Sequence, residues 1–278
     1  MTKNEIYEYL CSLVDGDPGN RIPADVCIDE HDAGQVIFRT PVMRVGSADD
    51  PLWEKMKEPG AVGRAYRTPS EWLPGAKSVI SFFFPFTDHI VNGNRDRPVL
   101  PGTAWMASYR YEERFTQRVC HRMEDFLRQR GIRAYAPYAG DEFQAVCLPG
   151  SNPALDPDLS FTSNWSERHA AYICGLGTFS LTRALITEKG MAGRFSSVIT
   201  DLELPADKRD YTSEFEYCTN CGACAKRCPV HAITPGKGKD QELSYSWLSR
   251  IEAEYPGCDC CGKCMVGTLC SRRIPGRG

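Results

Sequence analysis

Apolar positions along the chain follow two rhythms. Ile6, Leu10, Leu13 and Val14 recur at helical steps and predict a helix over 3–15. A longer stripe of Met106, Tyr109, Phe115, Val119, Met123, Phe126 and Leu127 predicts the main helix over 105–130. Gly131 closes it, because glycine adopts the left-handed cap at little cost. The run AKSVISFFF over 76–84 is continuously apolar and predicts a strand buried on both faces. Residues 132–138 alternate, FSSVITDL over 195–202 is β-branched and apolar, and both read as further strands. Residues 35–45 look extended and are assigned to a hairpin arm. A short helix over 166–173 runs into Gly175-Leu176-Gly177. Gly and Pro break the pattern over 15–23 and 59–74, and the polar 204–211, with Pro205, reads as a linker. Interleaved strands and helices predict an α/β (α+β) body over 1–210, followed by a separate tail domain over 211–278.

Composition narrows this only a little. The 278 residues carry a formal charge of -3, so electrostatic capture of nucleic acid or anionic lipid is not expected. The tail holds nine Lys/Arg against seven Asp/Glu, which leaves the excess acid in the body. The longest mainly apolar run, 79–86, is far short of the ~20 residues that span a bilayer. The amino terminus lacks the apolar core of an export signal, so a cytoplasmic protein without a membrane segment is expected.

The cysteines change the picture. Of 14, nine lie in the last 68 residues. Cys11, Cys27, Cys120, Cys147 and Cys174 are scattered through the body and read as small buried hydrophobes. The tail opens with Cys218-x2-Cys221-x2-Cys224-x3-Cys228-Pro229. Three thiolates at these intervals converge on one iron–sulfur cube, and the fourth, before a proline, reaches a second cube. Gly222 relieves crowding beside inorganic sulfide. A partner motif follows: Cys258-x2-Cys261-x2-Cys264-x5-Cys270, with Cys260 extra. The expected exchange of outer ligands gives cluster one Cys218, Cys221, Cys224 and Cys270. Cluster two takes Cys228, Cys261, Cys264 and either Cys258 or Cys260, with Cys258 preferred because adjacent cysteines rarely reach one cube together. Structural zinc takes paired knuckles well separated in sequence.

The tail, CTNCGACAKRCPVHAI with GKCMVGTLC, and the segment SERHAAYICGLGTFSLTRALITEKGMAGRFSSVITDLEL together resemble the epoxyqueuosine reductase-like family, with reductive dehalogenases as more distant relatives. The resemblance implies a nitroreductase-like core that binds cobalamin, capped by a ferredoxin-like domain with two [4Fe–4S] clusters. These clusters reduce the cobalt to its nucleophilic Co(I) state. It implies that Gly175, Gly177, Thr178 and Phe179 lie beside the corrin, with a small-molecule or corrinoid substrate and a low-potential donor such as ferredoxin or flavodoxin. FMN is the alternative cofactor for such a core. The alternative role is a ferredoxin-type electron-transfer protein serving a separate corrinoid protein or flavoprotein.

The sequence departs from the family at three places. Ser244 stands where relatives carry a second-cluster cysteine, and Cys258 or Cys260 compensates. The stretch Phe161-Thr162-Ser163-Asn164 before the Glu167-Arg168 pair lacks the family's proton-donating aspartate, and Asp156 and Asp158 are offset. The helical-repeat extension of the tRNA-modifying members is not present in the sequence, so tRNA is not the expected substrate. The catalytic proton donor therefore stays unassigned. Asp29-x-His31-x-x-Gly34 matches a corrinoid motif by letter, but the Gly-Gly element that motif requires is missing. His89, His121 and His169 read as surface or satisfied histidines, Tyr109, Arg110 and Tyr111 as parts of the long helix, and Arg183, Lys189 and Arg194 as a solvated face.

Overall fold

A computed structural model describes residues 1–58, 60–146, 152, 155, 159 and 161–277. The first helix, α1 (Lys3–Ser12), begins at a capping box in which Thr2 accepts from the Glu5 amide and the Glu5 side chain returns to Thr2. It is shorter than 3–15, and Leu13 and Val14 stay buried as turn residues. Next come β1 (Val42–Ser47), α2 (Leu52–Lys55), α3 (Pro69–Trp72), β2 (Ser78–Pro85), α4 (Asp88–Asp96) and α5 (Thr103–Arg128). The body continues with β3 (Ala134–Tyr135), β4 (Ala145–Val146), β5 (Thr162–Ser163), α6 (Glu167–Ile173), β6 (Gly177–Phe179), β7 (Leu185–Thr187) and β8 (Gly193–Thr200). The tail holds α7 (Ala223–Arg227), β9 (Ile233–Thr234), β10 (Gly238–Lys239) and α8 (Gln241–Glu254).

The central sheet has the order β1-β2-β8-β3, with every neighbouring pair antiparallel. Its middle strand β2 is buried at every position. Ile80, Phe82 and Phe84 face a core that contains Ile6 and Leu10 of α1 and Phe115, Val119 and Met123 of α5. Val79, with Ile199 of β8, faces the opposite layer of Trp53, Trp72, Trp165 and α6. Helices on both sides explain why the run does not alternate. Each fully buried phenylalanine contributes about 2–3 kcal/mol.

Two expectations shift. Residues 35–45 form no hairpin: Val36 and Phe38 make isolated bridges to Arg21 and Phe86, and β1 meets β2 only after α2 and α3. The strand over 132–138 shrinks to two residues, because Pro137 brings no amide hydrogen to the ladder. The main helix ends as expected, with Gly131 at φ 75° and the Ile132 amide returning to the Leu127 carbonyl at 3.2 Å.

The tail is fastened to the body. The amides of Met191 and Ala192 donate to the carbonyls of Cys270 and Ser271. Ile251, Cys258, Cys260 and Val266 join the main core. The stretch 204–211 has no regular structure, yet Asp207 is held by Lys3 Nζ at 2.5 Å and by the Val45 amide at 2.7 Å. Among the described residues no helix is long and apolar enough to cross a membrane.

Candidate metal and cofactor site

Two short loops present the tail thiols. In the first, Gly222 (φ 71°, ψ 4°) turns the chain into α7 between Cys221 and Cys224. In the second, Gly262 (φ 64°, ψ 3°) does the same between Cys261 and Cys264. Only glycine takes this conformation freely. Sequence reasoning credited Gly222 alone, although the shared Cys-Gly-x-Cys pattern was there to find. The loops brace one another, since Arg227 Nε donates to the Lys263 carbonyl at 3.2 Å. Lys263 is 1% exposed, and its Nζ donates to the carbonyls of Asn94 at 2.6 Å and Arg97 at 2.8 Å. Burial pulls its pKa down to about 8. Asn94 in turn donates from Nδ2 to the Cys261 carbonyl at 3.0 Å.

The thiols gather in two groups. Cys218, Cys221, Cys224 and Cys270 line one cavity together with Leu181, Ile186 and Thr268. Burial pushes the Cys224 thiol up to about 11, with Cys270 and Cys218 adding to the rise. The second group is more enclosed. Burial pushes Cys264 up to about 12, Lys239 opposes this, and Cys261, Cys228 and then Cys224 adjoin it. Cys228 Sγ accepts from the Ala232 amide at 3.3 Å. Cys258 and Cys260 are both buried, and the Cys258 thiol donates to the Met106 carbonyl at 3.7 Å. Among the described residues no three His, Cys, Asp or Glu side chains are close enough to hold a single metal ion. Cys218, Cys221, Cys224 and Cys270 around one cavity suit a polynuclear cube. The donor chemistry of both groups fits [4Fe–4S].

Basic side chains are electrostatic neighbours of the second group. Arg168, at the start of α6, is exposed, and desolvation lowers its pKa, with Tyr109, Arg194 and Cys264 as neighbours. Lys239 behaves similarly, and its neighbours are Cys264 and Arg168. Arg194 leaves the solvated face expected for it: it is ion-paired with buried Glu112 and stacks on Tyr109 at 4.1 Å. Arg183 and Lys189 are exposed as expected.

The residues that the resemblance assigns to the corrin follow directly on α6, with Gly177, Thr178 and Phe179 forming β6. A side chain at Gly177 would meet the Ile186 carbonyl at 1.9 Å, so strand pairing accounts for this glycine. Thr178 is fully buried and accepts from the Tyr217 amide at 2.9 Å. Gly175 (φ 94°) ends α6 against Lys208 and Arg209. Phe179 packs on His169, Tyr172 and Phe215.

The histidines are satisfied: His89 by Asp32, His121 by Glu124 and His169 by Ser166. Asp29 and His31 form a local turn, with the His31 amide donating to Asp29 Oδ1 at 3.0 Å. Arg110 donates to the carbonyls of Pro256 and Val26, and Tyr111 accepts from Arg118. Cys120 and Cys174 are buried, and Cys11 and Cys27 are half-buried. Cys147, Asp156 and Asp158 lie outside the described residues.

Glu167 is the titratable group that sequence reasoning left without a role. Burial raises its pKa to about 8, against hydrogen bonds from Ser197 and Trp165. Its Oε1 accepts from Trp165 Nε1 at 3.2 Å. It faces Tyr66, Cys120 and Cys174, on the core side of α6.

Comparison with known proteins agrees with the tail chemistry. The family described as 4Fe-4S binding domain matches residues 212–234. Over 64 residues, 23% of this chain, the sequence is 42% identical to tetrachloroethene reductive dehalogenases of Desulfitobacterium hafniense and Dehalobacter restrictus. It spans 12% of those proteins. The fold matches a crystal structure of epoxyqueuosine reductase with an epoxyqueuosine-modified tRNA stem loop, at a TM-score of 0.52 and 16% identity. It matches the Bacillus subtilis epoxyqueuosine reductase at 0.52 and 15%. Each match covers 89% of this chain and 57% of the other. At such identities the likeness is one of fold: a mixed α/β body with a carboxy-terminal iron–sulfur region.

Proposed function

We propose that this chain, which shares the epoxyqueuosine reductase fold and carries a 4Fe-4S binding domain, is an iron–sulfur reductase that passes electrons through two [4Fe–4S] clusters to a cofactor bound near Cys264. Cys218, Cys221, Cys224 and Cys270 hold the first cluster. Cys228, Cys258, Cys261 and Cys264 hold the second. The observation that carries the reading is the bracing of the two Cys-Gly-x-Cys loops, where Arg227 Nε donates to the Lys263 carbonyl at 3.2 Å, with Cys218, Cys221, Cys224 and Cys270 lining one cavity. That arrangement gives electrons a short path from the surface thiol Cys221 to an enclosed site.

In this reading the cofactor is cobalamin, held near Arg168 and Lys239. Arg168 and Lys239 are N–H donors suited to its amide and phosphate groups, and Tyr109 supplies an aromatic wall. Bound there, the cobalt would accept electrons and act as the nucleophile, which is the cofactor's own chemistry. The chain's part is to hold that group beside Cys264, to keep water away from it and to neutralise anionic charge with Arg168 and Lys239. The substrate in this reading is a small molecule or a corrinoid. Epoxyqueuosine is disfavoured, because Thr162 and Ser163 lie in β5 and Asn164 is committed to Glu142 and Gln144, so no carboxylate stands there.

The test is iron and sulfide analysis of anaerobically purified protein, with mass spectrometry of any extracted organic cofactor. Near eight iron per chain with a corrinoid supports the reading. Four iron, zinc, or flavin as the only organic cofactor overturns it. Eight iron with no cofactor, together with reduction of a separate corrinoid protein or flavoprotein, selects the electron-carrier role.

A further inference from the structure

The first thiol group opens onto a face whose composition points to its electron donor. Leu269 lines the cavity and is 61% exposed, and Phe215 is 51% exposed on the turn that ends at Cys218. That turn is fixed, since the Cys218 amide donates to the Phe215 carbonyl at 2.9 Å. Cys221, Thr219 and Asn220 beside it are exposed as well. A soluble surface rarely places two large apolar side chains around a reactive thiol without a use for them.

The charges of this face are lopsided. Arg183 follows the lining residue Leu181, Arg273 lies between the lining residues Cys270 and Pro275, and Lys226 follows Cys224. All three are exposed. The acids nearby are mostly committed: Asp210 and Glu216 pair with Arg277, and Asp88 pairs with Arg272. Glu214 is the exposed carboxylate left on the face. No carboxylate lines the cavity itself. The whole chain is net acidic, so this is a local reversal of sign.

We infer that the face formed by Phe215, Leu269, Arg183, Arg273 and Lys226 docks a small acidic one-electron carrier protein. The inference rests on the proposed first cluster, and it adds where electrons enter and what brings them. Small apolar contacts rimmed by complementary charge suit short-lived electron-transfer encounters, in which charge steers association and a modest area lets the partner leave. In each encounter the carrier is oxidised by one electron and the first cluster is reduced by one. No proton or bond is exchanged.

The experiment uses the cluster-loaded protein and reduced flavodoxin as the acidic carrier, with dithionite as a reductant that needs no docking. Binding by titration and cluster bleaching by stopped flow are read at about 50 mM and about 300 mM salt. The expected result is saturable binding that weakens about tenfold or more at the higher salt. The double variant Arg183→Glu/Arg273→Glu, and separately Phe215→Glu, should weaken binding and slow reduction by flavodoxin about tenfold or more, while dithionite bleaches all variants at one rate. Flavodoxin binding that is absent, insensitive to salt, or unchanged in both variants overturns the docking face. If dithionite itself bleaches no cluster in the parent protein, the cluster reading is what has failed.

Discussion

Gly222 and Gly262 adopt the same left-handed conformation at the same step of two Cys-Gly-x-Cys loops. Their surroundings differ. A side chain at Gly222 would stand 3.4 Å from Pro235, whereas one at Gly262 would lie 2.0 Å from the Trp105 ring. Gly222→Ala therefore meets only the left-handed penalty, about 1–2 kcal/mol. Gly262→Ala meets that penalty and a clash with a buried indole at the start of α5. The expected outcome is near-normal iron content for Gly222→Ala with a small fall in melting temperature, and loss of second-cluster iron for Gly262→Ala. Iron analysis beside a thermal melt checks both.

The same register selects the eighth thiolate. Cys218, Cys221 and Cys224 correspond position for position to Cys258, Cys261 and Cys264 when the glycines are matched. Cys260 has no counterpart in the first loop. Cys258→Ser should reduce iron from about eight to about four per chain, and Cys260→Ser should leave it unchanged. Equal loss in both variants would overturn the assignment.

Much of this arrangement was legible in the residues alone. The strong signals were local: the stripe of α5, the apolar run of β2 and the cysteine spacings. Each reports a period or a turn that the chain makes with its near neighbours. What stayed hidden depends on partners far away in sequence. The closeness of Gly177 to the Ile186 carbonyl is one such relationship. Arg194 reads as a surface cation until Glu112 and Tyr109 are found against it. The pairing of β1 with β2 rather than into a hairpin is equally non-local, because α2 and α3 intervene.

The Arg194–Glu112 pair gives a stability test. Glu112 is 6% exposed, and burial raises its pKa while Arg194 opposes that rise. Truncating Arg194 leaves the carboxylate buried without its partner. Arg194→Ala should cost about 3–5 kcal/mol. The double variant Arg194→Met/Glu112→Gln removes both charges at similar volume, and it should recover more than half of that loss. Denaturant unfolding of both variants decides it, and equal destabilisation would count against the pair.

Glu167 gives a test in pH. Its folded pKa is raised from 4.5 to about 8, chiefly by desolvation. The folded protein therefore holds a proton here that the unfolded chain has released, over pH 4.5 to 8. Stability falls with rising pH wherever the folded state binds more protons, so this group favours folding fully below about 4.5 and progressively less up to about 8. Tyr66, Cys120 and Cys174 face it and stay neutral in this range, because burial raises their pKa values as well. His169, next along α6, is pulled down to about 4 by burial and by Arg168, and it contributes in the opposite sense below its unfolded value. Comparison with a variant isolates Glu167. Glu167→Gln keeps the shape and the contact with Trp165 but carries no proton to lose. Its melting temperature should decline less than the parent's between pH 5 and pH 8, measured in matched buffers. Parallel declines in the two proteins would show that Glu167 is already ionised at neutral pH.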